Sequence, residues 1–167
     1  MKTVQIDLLS KNDWNLVSKI YKKGIETGLA TFETEIPSWT KWDNAHLQSC
    51  RLVARLDGKI MGWAALSPVS DRCVYGGVAE VSVYVDTEYN GKGIGTSLLQ
   101  ELIKQSEKEG FWTLQSGLFP ENIASLQLHK KLGFREIGYR EKIGKMKNGT
   151  WRNNIILERR SKTIGIN

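Results

Sequence analysis

The chain has 167 residues, a formal net charge of +6, 40% hydrophobic and 25% charged residues. That length fits a single domain over residues 1–167 that buries its own core, and the composition is ordinary for a soluble globular protein. No apolar run approaches the ~20 residues of a membrane span. The first residues, Met1 to Asp7, lack the long apolar core of a signal peptide. Two cysteines outside any C-x-x-C pair and two histidines leave no pattern for a structural metal site. The expectation is a cytoplasmic protein with reduced thiols, no metal and no membrane partner. The charge is uneven: residues 130–167 hold 11 Lys/Arg against 3 Glu, so the preceding residues sum to −2. With no nucleic-acid module and no helix dense in Arg or Lys, this surplus reads as solubility rather than nucleic-acid binding.

Val4–Leu8 reads as a first strand. Ser10-Lys11-Asn12-Asp13 has capping-box spacing and opens a helix whose Trp14, Val17, Ile20 and Tyr21 share a face. Gly24 to Ile36 has no period, and an irregular connection of that length is uncommon and often functional. Pro37-Ser38 starts a second helix anchored by Trp39, Trp42 and Leu47. Cys50–Leu56 and Lys59–Ser67, joined by Asp57-Gly58, predict a hairpin. After a loop, Val78–Val85 alternates as a strand. A glycine-rich turn then leads into a helix over Gly93–Glu109, with Ile94, Leu98, Leu99, Leu102 and Ile103 at helical spacing and Gly110 as its stop. Trp112–Leu118 is the next strand. Asn122 caps a helix carrying Leu126, His129 and Leu132, which Gly133 ends. Phe134–Ile143 and Ile155–Leu157 predict two last strands, with Gly144–Arg152 the turn between them. This order predicts a mixed α/β sheet in one layer with helices on both faces.

Chemistry concentrates around Asn90-Gly91-Lys92-Gly93-Ile94-Gly95-Thr96. Glycines let a backbone approach a ligand closely, and amides at a helix start face an anion with the helix dipole behind them. The turn is therefore a candidate cradle for a phosphate or pyrophosphate, or else only a tight strand-to-helix connection. A Walker loop is absent, and the spacing differs from G-x-G-x-x-G. Glu80 interrupts an apolar strand, so it faces solvent or a polar pocket, where it can act as a base. His129, mid-helix among leucines, is a core residue or a proton carrier near neutral pH. Asn122 is at least a helix cap. Phe32, Tyr75 and Trp151 are core aromatics or pocket walls.

Taken together, these stretches resemble the GNAT N-acetyltransferase superfamily, and within it the phosphinothricin N-acetyltransferase branch. The glycine turn is similar to the superfamily's Arg/Gln-x-x-Gly-x-Gly/Ala motif, with Asn90 in place of the Arg or Gln. Ala79-Glu80-Val81-Ser82-Val83-Tyr84-Val85 looks like the strand before it. Ala30-Thr31-Phe32-Glu33-Thr34, Pro120-Glu121-Asn122 with Ser125, Leu128-His129 with Leu132-Gly133-Phe134, and Gly144-Lys145 with Gly149, Trp151 and Arg152 follow in the branch's order. Between Tyr75 and Glu80 the chain has Gly76-Gly77-Val78-Ala79 where some members carry a substrate-facing arginine. That form, with Trp112-Thr113-Leu114-Gln115, is similar to relatives that acetylate arsinothricin.

The resemblance implies a GNAT fold: a single mixed, mostly antiparallel sheet with helices on both faces and a splayed pair of central parallel strands. It implies acetyl-CoA as co-substrate, held by the backbone of Val83, Tyr84 and Val85, by Asn90, Gly91, Lys92, Gly93, Ile94, Gly95 and Thr96, and by Asn122 and Ser125. Glu80 is expected as the base that frees the amine, directly or through one water. His129 is expected to protonate the leaving thiolate or to orient the substrate. Phe32, Tyr75, Glu80 and Trp151 are expected to wall a small amino-acid-like amine of the phosphinothricin, methionine sulfone or sulfoximine, or arsinothricin type. A homodimer and a role in antibiotic or herbicide resistance are implied as well. The alternatives are a protein N-terminal or polyamine acetyltransferase and a non-catalytic acetyl-CoA-binding module.

Overall fold

The computed structural model describes residues 3–167. One seven-stranded sheet runs through it in the order β1-β2-β3-β4-β5-β7-β6. The strands are β1 (Gln5–Leu8), β2 (Leu52–Leu56), β3 (Lys59–Pro68), β4 (Val78–Val85), β5 (Thr113–Leu118), β6 (Arg135–Lys145) and β7 (Trp151–Arg160). Every pairing is antiparallel except β4 with β5. The helices are α1 (Trp14–Glu26), α2 (Trp39–Ala45), α3 (Ile94–Lys108) and α4 (Ile123–Lys131).

Period-two alternation divides the central strands between two apolar layers. Leu52, Ala54, Ala64, Leu66, Ala79 and Val81 pack against Ile94, Leu98, Leu99 and Leu102 of α3, and α4 adds Leu126 and Leu128 to that layer. Val53, Trp63 and Ala65 face the other way, onto Val17 and Ile20 of α1 and Trp42 of α2. Full burial of an aliphatic side chain contributes about 1.5–3 kcal/mol, against about 0–1 kcal/mol for an exposed ion pair. The two layers therefore set the register, since a one-residue slip would turn either set toward the wrong side.

Local signals account for most element ends. Ser10 and Asp13 form the expected capping box, ahead of a short 3-10 turn. Ser38 caps α2 through the Lys41 amide, and Asn122 caps α4 through the Ser125 amide. Asp57 and Gly58 both take positive φ between β2 and β3, as a two-residue hairpin turn requires.

Two expectations need correction. The last strands are longer than Phe134–Ile143 and Ile155–Leu157, and the turn between them shrinks to residues 146–150. Polar residues on one face of each strand conceal the alternation there. In β7, Ile155 and Leu157 enter the α3 layer while Arg152, Asn154 and Glu158 take the opposite side.

The feature that shapes the site is the β4–β5 pair. Pairing covers only Val78–Glu80 against Thr113–Gln115, although β4 continues to Val85 and β5 to Leu118. At the tied end, the Trp112 and Thr113 amides both donate to the Gly77 carbonyl, at 2.8 and 3.2 Å. The Trp112 ring lies where any Cβ on Gly77 would stand. Beyond Glu80 the strands part, and the edge of β4 that faces β5 has no strand partner.

Candidate active site

At the open end of that gap, β4 runs into the glycine turn. Gly91 and Gly93 adopt positive φ of 73° and 78°, a conformation that costs other residues about 1–2 kcal/mol. Gly95 is small for a different reason: a Cβ there would lie 3.2 Å from Leu128 Cδ2 and 3.5 Å from Val85 Cγ2. The first turn of α3 can thus lie directly on α4 and β4. Its intrahelical ladder starts with the Ser97 amide donating to Gly93, so the preceding amides stay available to a ligand. They open on a groove of about 500 Å³ walled by Val83, Tyr84, Val85, Asn90, Gly91, Gly93, Ile94, Gly95, Thr96, Asn122 and Ser125. Lys92 is outside this wall, its ammonium 5.1 Å from the Tyr89 ring centre.

A second cavity, about 590 Å³, adjoins the groove and shares Ala30, Val83, Tyr84, Asn122 and Ser125 with it. It passes through the gap in the sheet, because both faces of β4 line it: Glu80, Ser82 and Tyr84 from one, Val81 and Val83 from the other. Glu80 is reachable from the cavity mouth. Desolvation lifts its carboxyl above the ordinary glutamate range, partly offset by a hydrogen bond from Gln115 and the positive charge of Arg140. Burial likewise drives the Tyr84 phenol far above its usual value, so it stays a neutral hydroxyl, stacked on Trp63 at 4.8 Å.

His129 is buried. Its Nδ1 lies 2.7 Å from the Ser125 carbonyl oxygen, which can only accept, so Nδ1 carries the proton. Burial holds the imidazole below its usual pKa, and the Ser125 carbonyl only partly counters this. The ring is therefore neutral at pH 7, with a buried Nε2 lone pair that has no hydrogen-bond partner among the described residues. An imidazole in that state accepts a hydrogen rather than gives one.

The irregular segment between α1 and α2 roofs both cavities and is tied down from below. Asn122 Nδ2 donates to the Leu29 carbonyl at 3.3 Å. Arg152 donates to the Gly28 carbonyl at 2.8 Å, pairs with Glu121 and lies 3.9 Å over the Phe119 ring. Phe32 meets Phe119 edge-on at 4.8 Å and covers Gly144 so closely that a Cβ there would fall 2.3 Å from its ring.

The structure thus brings Glu80, His129, Phe32, Asn122, Ser125 and the glycine turn around one continuous space. Tyr75 and Trp151 stand outside it. Tyr75 closes an exposed turn beneath the Arg72 guanidinium, and Trp151 projects from the start of β7 beside Lys145. Their aromatic character alone could not separate a pocket wall from an outer surface. Conversely, Arg140 and Asn154 line the cavity although nothing local in the sequence marks them, because cross-strand register brings them there; Gln115, the end of the Trp112–Gln115 stretch, lines it as well. No group of three His, Cys, Asp or Glu able to hold a metal occurs among the described residues. None of their helices is long and apolar enough to cross a membrane.

The chain is similar to known proteins in both sequence and fold. Residues 16–134 match the acetyltransferase (GNAT) family. A phosphinothricin N-acetyltransferase of Alcaligenes faecalis is 30% identical over 165 residues, covering 92% of this chain and 81% of the relative. An L-methionine sulfoximine/L-methionine sulfone acetyltransferase of Pseudomonas aeruginosa is 34% identical over 94 residues, 56% of this chain and 54% of that protein. The structure of a GNAT superfamily phosphinothricin acetyltransferase from Sinorhizobium meliloti in complex with AcCoA superposes with a TM-score of 0.84 at 25% identity, over 98% of this chain and 96% of that one. A ribosomal-protein-alanine N-acetyltransferase from Brucella melitensis gives 0.86 at 26% identity, over 94% and 99%.

Proposed function

The chain belongs to the acetyltransferase (GNAT) family, and from that premise we propose that it moves an acetyl group from acetyl-CoA to the free amine of a small amino-acid-like substrate. Phosphinothricin, methionine sulfone or sulfoximine, and arsinothricin exemplify the class. The observation that carries the reading is the meeting of two spaces across the β4–β5 gap. The groove holds unpaired amides at the head of α3, and the cavity beside it holds Glu80.

The residues fit acetyl-CoA. Two left-handed glycines and a third with no room for a side chain leave the α3 amides open to a diphosphate. The unpaired edge of β4 over Val83–Val85 offers main-chain groups to an extended arm, as an added strand would. Bound there, the co-substrate supplies an activated acetyl thioester. Glu80 then takes the proton from the acceptor's ammonium, directly or through a water, and the freed amine attacks the acetyl carbon. The C–S bond breaks as the amide forms, and the CoA thiolate leaves, taking up the second proton that the nitrogen sheds. The β4 amides donate to the carbonyl oxygen as it gains charge. Neutral His129 accepts through Nε2 and orients a donor, which makes it a positioning group rather than the acid. N-acetylation removes the amine's charge, a chemistry suited to disarming amino-acid analogues in the cytoplasm.

A roof fastened by Arg152 to Gly28 and by Asn122 to Leu29 favours a compact acceptor over a peptide, which needs a groove open at its far end. Thiol release measured across methionine sulfone, methionine sulfoximine, phosphinothricin, arsinothricin, spermidine and peptide N-termini tests the reading. Turnover is expected with the amino-acid analogues. Turnover confined to peptides or spermidine, or CoA binding without any turnover, would overturn it.

The same reading includes a homodimer. The edge strand β6 is exposed along nearly its whole length and shows Ile137, Tyr139 and Ile143, with Trp151 beside it. Large apolar side chains left exposed on an edge strand mark a contact surface, and a second copy would cover them. Sedimentation equilibrium is expected to give twice the 18.9 kDa chain mass; a monomer would remove this element.

A further inference from the structure

We propose that Arg140 is the receptor for the acceptor's α-carboxylate, so that the cavity selects an amino-acid zwitterion, with the ammonium at Glu80 and the carboxylate at Arg140. This rests on the acetyl-transfer reading above and adds to it a substrate group and the residue that reads it.

The charge inventory of the cavity carries the argument. Its walls include two carboxylates, Glu33 and Glu80, one neutral imidazole and one permanent cation, Arg140. The lysines of the β6–β7 hairpin, Lys142, Lys145 and Lys147, do not line it, nor do its other arginines, Arg135, Arg152, Arg159 and Arg160. An α-amino acid presents one positive and one negative group on a single carbon. A site for it needs one base and one fixed cation that converge on the same space, and Glu80 from β4 and Arg140 from β6 both line this cavity.

Arg140 is also the arginine of this region without a commitment. Arg135 is paired with Glu158, Arg152 with Glu121, and Arg159 with Glu107. Arg160 is occupied by the carbonyls of Trp112 and Ile164. Arg140 makes no ion pair or hydrogen bond among the described residues, yet its charge is felt at Glu80. A planar guanidinium with all its donors available suits two-point recognition of a carboxylate.

Strand irregularity aims it. Pairing of β6 with β7 shifts between Arg140 and Gly144, Lys142 takes a φ of +46°, and its amide donates to Asn153 Oδ1 at 2.7 Å. Such a bulge redirects the side chains beside it. Arg140 pairs with Asn154, which also lines the cavity and whose side chain reaches Gly117 on β5.

The test compares L-methionine sulfone with its α-carboxamide, using wild type, Arg140→Gln and Arg140→Lys. Charged hydrogen bonds of this kind are worth on the order of tenfold to a hundredfold. Wild type is expected to lose that factor in kcat/KM on going from acid to amide. Arg140→Gln should lose it on the acid alone, almost entirely in KM, as removal of uniform binding does; Arg140→Lys should fall between. Equal losses on both acceptors, or none, would refute the assignment. Calorimetric binding of L-methionine sulfone to the CoA-saturated protein separates the two readings. Binding that depends on Arg140 without turnover would sink acetyl transfer and keep the receptor. Equal binding by wild type and Arg140→Gln would sink the receptor whatever the turnover.

Discussion

Glu80→Gln is expected to lower acetyl transfer at pH 7 by about 10²–10⁴-fold while leaving the affinity for acetyl-CoA unchanged. An amine acceptor is an ammonium at that pH and cannot attack until a base takes its proton. Glutamine keeps the shape and the contact with Gln115 but has no basic lone pair. The pH profile sharpens the test. A base works when deprotonated, so the wild-type rate rises as pH passes through the Glu80 pKa. Desolvation moves that pKa up, and Gln115 and Arg140 return only part of the shift. The acidic limb should therefore lie above the ~4.3 of an ordinary glutamate. In Glu80→Gln that limb should vanish, leaving the rise due to the substrate's own amine. An unchanged rate would refute the assigned base.

Stability should move in the opposite sense. A carboxyl whose folded pKa exceeds its unfolded value binds more proton in the native state between the two. Stability then falls as pH rises through that window, and above it the ionised group is a net cost. Glu80→Gln removes this cost, so its melting temperature at pH 7 should equal or exceed that of wild type. A residue that is costly to the fold and needed by the reaction is held by function rather than by packing.

Elements that bury one apolar face could be read from the chain; those that bury little could not. Val78–Val85 was expected at its observed limits because alternate residues had to reach the α3 layer. The Asp57-Gly58 turn, the helix start at Pro37-Ser38 and the Asn122 cap were legible because each satisfies a local backbone demand. The final strands were underestimated because Arg152, Asn154 and Glu158 answer to the cavity and to ion pairs, not to a core. The site divided along the same line. Glu80 was conspicuous as a charge within an apolar strand, and the glycines were conspicuous by their density. Arg140 was one base among eleven in a basic segment, and only the register of β6 against β7 distinguishes it. Where Glu80 points was equally hidden: a carboxylate on an alternating strand reads the same against solvent or a cavity until the partner strand is known to part from it.

Gly95→Val is the second large effect expected, and it acts on the cradle rather than on the base. Even a bare Cβ at this position meets Leu128 Cδ2 at 3.2 Å, tighter than ordinary contact, and valine adds two methyls on the same side. The helix must then move away from α4 and β4, or the methyls must turn into the groove, and either outcome spoils the arc of α3 amides. Loss of one or two charge-assisted hydrogen bonds to a diphosphate costs about 2–4 kcal/mol, a weakening of CoA binding by roughly 30- to 1,000-fold. Gly93 provides the control. It has open space around it but a φ of +78°, so Gly93→Ala should cost stability through backbone strain, about 1–2 kcal/mol. Gly93→Asn should recover part of that, since asparagine tolerates the left-handed region. Calorimetric titration with CoA beside thermal melting separates the two glycines. Gly95→Val should lose affinity out of proportion to stability, whereas Gly93→Ala should lose stability first. Undiminished CoA binding by Gly95→Val would mean that the diphosphate does not sit on the head of α3, and the groove would have to be assigned to another ligand.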